Sequence, residues 1–144
     1  MGADQFPLLA VSIILYNVLA LCGAAATGTE AQVFFARGVD FHMFSGDIWR
    51  LSIGDLLMLV SLALLFVEVL KSTSSGAEQV LNHAMSMAVF IIALMEFLLV
   101  PGFSTTTFFF IVAMTVFDVV AGFTISIVAA KRDLGTAGSL IGTN

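Results

Sequence analysis

An all-α integral membrane protein is the fold class this sequence predicts: an antiparallel bundle of four transmembrane helices, with a short interfacial helix in the first loop. Three observations carry that expectation. Of 144 residues, 60% are hydrophobic and 10% charged, with a mean hydropathy of +1.10. A soluble domain is nearer half apolar, with about a quarter of its residues charged. One soluble core cannot hide so much apolar surface, so hydrocarbon must cover it. Turn-forming clusters also divide the chain into four apolar stretches, each near the roughly 20 residues of a spanning helix. Finally, lipid offers the backbone no hydrogen-bond partner, so spans must be helical.

The first span is expected over about 6–26, within one membrane domain covering 1–144. No charge falls between Asp4 and Glu30. Pro7 suits a first helical turn, where its missing N–H costs nothing. No basic residue precedes it, which argues for a retained helix and against a removable signal. Tyr16, Ala20 and Ala24 recur every four residues and give one face small groups for close helix packing. Asn17 can hydrogen-bond across such a seam.

In the first loop, Thr29-Glu30-Ala31-Gln32 has the pattern of a capping box, and Gly38 that of a helix stop. A short helix from Glu30 to Arg37 follows. Phe34, Phe35, Phe41, Phe44 and Trp49 gather nearby with few charges. Aromatic side chains favour the headgroup level, so the loop is placed on the membrane surface, with Phe34, Phe35 and Trp49 partly buried. His42 reads as a solvated loop residue.

The second span is expected over about 48–70, where Gly54, Ser61 and Glu68 repeat every seven residues and share a face. Ser72-Thr73-Ser74-Ser75-Gly76 breaks the chain. Ser75-Gly76-Ala77-Glu78 then fits a capping box for a third span over about 76–100. Pro101-Gly102 ends that span. The fourth is expected over about 105–130, with Lys131-Arg132 at its exit and a flexible tail at 133–144. Asp118, Gly122, Ser126 and Ala130 repeat every four residues and mark a helix-packing stripe. Lys71, Lys131 and Arg132 fall on one side, against Arg37 and Arg50 on the other. That bias favours both termini in the cytoplasm. The expected setting is a bacterial inner membrane.

Candidate site residues are the charges that fall where hydrocarbon should be: Asp118, Glu96, Glu68 and Asp55, with His83 beside them. A mid-membrane charge costs from roughly 2.5 to over 10 kcal/mol, so such groups are neutral, paired or hydrated. Helical rise places Asp55 and Glu96 roughly 6–8 Å below the outer boundary, Asp118 roughly 20 Å down, and Glu68 and His83 roughly 25 Å down. Two layers follow: Asp55 with Glu96, and Asp118 with Glu68 and His83. Glu96 and Asp118 should not touch. Structural roles are available to most of them. Ser52-Ile53-Gly54-Asp55 fits a capping box. Glu68 can pair with Lys71, while His83 can sit at headgroup level. Asp118 is the hardest to explain that way. Desolvation favours a neutral Asp118 serving as a hydrogen-bonding group at a helix seam.

Other chemistries are disfavoured. A net charge of −5 without a basic patch argues against nucleic acid. Cys22 is the only cysteine, so there is no intramolecular disulfide or cysteine zinc cluster. A haem held by two histidines needs both on helices, and His42 is not on one. No hydrolase, phosphate-loop or HExxH pattern appears. No cofactor or metal is expected, and no enzymatic activity. The expected function is association, as a homo-oligomer or as an accessory subunit of a larger membrane complex. The alternative is a small proton- or cation-coupled transporter or channel using the intramembrane carboxylates.

Overall fold

A computed structural model of the protein describes residues 6–72 and 78–141. The chain is mostly helical, and four helices are long and apolar enough to cross a membrane: Leu9–Thr27, Ile53–Lys71, Leu81–Leu99 and Thr106–Val128.

The first of these is α1 (Leu9–Val18), a π-helical turn over Leu19–Gly23, and α2 (Ala24–Thr27). Tyr16, Ala20 and Ala24 are all buried. Gly23 lies in the π turn, and a Cβ there would press on the Phe34 ring. The helix starts without a side-chain cap of its own. Its cap comes from far along the chain, as described below.

A single-turn helix follows, α3 (Ala31–Phe35). The expected capping box does not form. Glu30 is the N-cap, with no side-chain bond, and the Thr29 hydroxyl is engaged with that of Thr27 instead (2.8 Å). Phe35 enters the core and stacks on Tyr16, with ring centroids 4.7 Å apart. Tyr16 stacks in turn on Phe108 at 4.2 Å and meets Phe103 edge-on at 5.4 Å. Its hydroxyl pairs with Thr105 Oγ1 at 2.7 Å. Thr105 Oγ1 also accepts the Phe108 N–H, so this contact caps the last helix as well. Thus one aromatic cluster ties the first helix, the first loop and the start of α6 together.

The remainder of the first loop departs from expectation. It is a β-hairpin, β1 (Gly38–His42) with β2 (Ile48–Ser52), paired antiparallel. The second helix therefore begins at Ile53, not near 48. Residues 48–51 are β-branched, aromatic or long, and they alternate across the pairing. Val39, Phe41, Trp49 and Leu51 take one face, and Asp40, His42, Ile48 and Arg50 the other. A window of mean hydropathy merges such a strand with the helix that follows. His42 is thus an exposed strand residue. Gly38 is required where β1 meets β2, because a Cβ would strike the Leu51 carbonyl.

On the hairpin's polar face Arg50 donates from Nε and a terminal nitrogen to the two oxygens of Asp40, at 2.6 and 2.7 Å. The fork holds the Asp40 carboxyl below its ordinary value. A depressed carboxyl adds stability above its unfolded-state pKa, about 3.9, and that contribution fades as pH falls through the lower folded value. Cross-strand amide NMR signals should therefore be constant from about pH 8 to 5 and weaken only in stronger acid. Weakening already near neutral pH would assign control to another group.

Helix α4 (Ile53–Lys71) starts on a true capping box: Asp55 N–H to Ser52 Oγ at 3.1 Å, and Ser52 N–H to Asp55 Oδ2 at 2.9 Å. Its Gly54, Ser61 and Glu68 are buried. Ser75, Gly76 and Ala77 of the proposed cap at Ser75–Glu78 lie outside the described residues. Helix α5 runs Glu78–Leu99, and α6 runs Thr106–Ile141. The residues from 133 to 141, expected within a flexible tail, continue α6. Gly135 and Gly138 each cost a helix only about 1 kcal/mol, too little to end one. Helix α6 packs on α5 and α4, and α1 touches α4, α5 and α6.

Candidate functional site

The polar residues of the helices collect in two places. Near the hairpin, Glu96 Oε2 on α5 accepts a hydrogen bond from Asn17 Nδ2 on α1 at 2.9 Å. Asn17 also donates to Ile13 O within its own helix. Asp55 is occupied by the α4 cap. Each of these two acids therefore has its own partner, and the expected Asp55–Glu96 layer divides into two separate contacts.

The second place is the other end of the helices, and it centres on Glu68. This side chain is wholly buried. One oxygen accepts the backbone N–H of Leu8 at 2.7 Å. The other accepts Asn82 Nδ2 of α5 at 3.0 Å. Lys71 Nζ lies 3.7 Å away and also donates to the Phe6 carbonyl at 3.3 Å. Helices leave their first N–H groups without internal partners, and their N-termini favour negative charge. Glu68 supplies both needs for α1. It thereby joins α1, α4 and α5 at a single carboxylate.

Asp118 of α6 is 4% exposed. It faces Ser86 and His83 of α5 and Glu68 and Lys71 of α4. The His83 ring lies over Gly122, where a Cβ would collide with it. The ring also stacks on Phe123, with centroids 6.2 Å apart. Gly122 is thus the gap that admits an imidazole between α5 and α6. Ser126 is half-buried, and the side chain of Ala130 lies outside the described residues. Glu68, His83 and Asp118 therefore share one cluster. Glu96 belongs elsewhere: its partner Asn17 stands nine residues beyond Leu8, about 14 Å along the helix.

Among the described residues four buried side-chain atoms lack a hydrogen-bond partner: Ser12 Oγ on α1, and Asn82 Oδ1, His83 Nε2 and Ser86 Oγ on α5. Ser86 Oγ lies beside Asp118, but without the geometry of a full hydrogen bond. Among the described residues no group of three or more His, Cys, Asp or Glu is placed to hold a metal ion.

Sequence reasoning did not single out Ser12, Asn82 or Ser86. A signal was present, since Asn82 and Ser86 are one helical turn apart and His83 adjoins them. Serines are so common in apolar helices that it carried no weight. The chain matches no protein-family model, no curated protein and no solved structure.

Proposed function

We propose that the protein is an antiparallel four-helix bundle inserted in a bilayer, and that it works by association, as a homo-oligomer or an accessory subunit of a larger membrane complex. The observation that carries this reading is where the acids are spent. Asp55 caps a helix, Glu96 bonds α1 to α5, and Glu68 joins three helices. The polar groups hold the chain together and leave its outer surface apolar. On α4 and on the third span only 22% of each apolar window is buried within the chain. The remainder needs lipid or other helices against it. One groove of about 520 Å³ on α4, lined by Leu59, Leu62, Leu65, Phe66 and Val69, is almost wholly apolar. The charge bias around the spans supports cytoplasmic termini, and helical spans suit an inner membrane better than an outer one, whose proteins are barrels.

Mass measurement of the protein released from native membranes in lipid discs tests the reading. Whole multiples of the 15.3 kDa chain support a homo-oligomer, and a fixed additional subunit supports an accessory role. One chain with lipid alone would contradict association.

The hairpin supplies a further prediction. An isolated two-stranded sheet is marginal in water, and its face of Val39, Phe41 and Trp49 is exposed. Placed at the end of α4, that face fits the headgroup layer. Trp49 fluorescence should be quenched by lipid-attached quenchers near the headgroups. Quenching by a water-soluble agent alone would place the hairpin in water. In the fold itself Trp49 stays half exposed while Phe35 is buried in the core, so any cover for Trp49 comes from beyond the described residues.

A further inference from the structure

We infer that the cluster of Asp118, His83, Ser86 and Asn82 is a binding site for one exchangeable proton, held between Asp118 and His83 and bridged by internal water. The inference goes beyond the association reading and does not depend on it.

The charges set the stoichiometry. Groups facing Asp118 are Glu68 and Lys71 from α4, and His83 and the uncharged Ser86 from α5. Glu68 is matched by Lys71 at 3.7 Å and by two hydrogen-bond donors. That leaves an aspartate and an imidazole, a pair carrying one negative charge when both are deprotonated. A bare negative charge away from water is costly. One proton removes it, whether it sits on the carboxyl or on the ring. In both forms the pair is neutral overall, so the proton can move between them without changing the charge of the cluster.

The orphaned atoms indicate what accompanies it. Asn82 Oδ1 can only accept, the serine hydroxyls can donate or accept, and His83 Nε2 does either, depending on its proton. Buried polar atoms cost roughly 1–3 kcal/mol each when unmet. A water molecule offers two donors and two acceptors and typically makes about three bonds to such groups. It can serve Asn82 Oδ1 and Asp118 as donor while accepting from Ser86 or from His83 Nε2–H. The same water links the two sites of the proton.

The test uses full-length protein in lipid discs with His42→Gln, which leaves His83 as the only histidine. Ring nitrogen NMR shifts of His83 and the carboxyl infrared band of isotope-labelled aspartate are followed across pH. The expected result is a shared midpoint, with the uptake of one proton per chain. Asp118→Asn should remove the component of the carboxyl change that shares the His83 midpoint, and shift that midpoint. Independent midpoints for ring and carboxyl in the otherwise unaltered protein would overturn the proposal, whether or not the Asn variant folds. A His83 midpoint unmoved by Asp118→Asn would do so too.

Discussion

Glu68→Leu is expected to destabilise the protein by about 3 kcal/mol, roughly a hundredfold in the folding equilibrium. Its two oxygens serve the Leu8 N–H and Asn82 Nδ2, and Lys71 lies beside it. Leucine fills the space and accepts nothing. Two donors are then left without their acceptor, each at about 1–3 kcal/mol. Interhelical hydrogen bonds in membranes average only about 0.6 kcal/mol. The larger figure applies here because the same carboxylate also caps α1. Glu68→Gln keeps one acceptor oxygen and should cost less than half as much. Amide hydrogen exchange gives the location: residues 8–12 should lose protection first in the Leu variant. Uniform loss across all helices would mean that Glu68 does not hold the N-terminus.

Gly122→Leu is expected to be at least as damaging. Even Gly122→Ala places a Cβ within the His83 ring, and overpacking of this kind costs about 1–3 kcal/mol. Leucine must also push α5 and α6 apart, so unfolding or failed assembly is the expected outcome. Rescue identifies the cause. His83→Ala removes the ring, and the double variant with Gly122→Ala should be more stable than Gly122→Ala alone. Thermal unfolding in lipid discs reads both effects. A Gly122→Leu protein that melts like the parent would show that this face of α6 does not meet α5.

How far the residues announced these contacts depends on the kind of contact. Gly54, Ser61 and Glu68 were legible because a helical period places them on one face, and all three are buried. The Ser52–Asp55 cap was legible because both partners lie within one turn. The hairpin was not, since Ile48–Ser52 runs into an apolar helix without a break and its mate lies across a turn. Nor was the role of Glu68 at Leu8: a backbone N–H leaves no mark in a sequence, and 60 residues separate the two. Lys71 alone looked like its partner, being three residues away. The Tyr16–Thr105 contact, 89 residues apart, was hidden for the same reason.

Sidedness tests the central claim, that four helices cross one bilayer, most directly. With Cys22 replaced by serine, single cysteines at Ser45 in the hairpin and at Lys131 beyond the last span can be labelled in sealed vesicles by a reagent that does not cross lipid. Four crossings place these positions on opposite faces. Each should label from one side only, and the two sides should differ. Labelling of both from the same side, or of both in protein that leaves the membrane in a salt wash, would contradict the account.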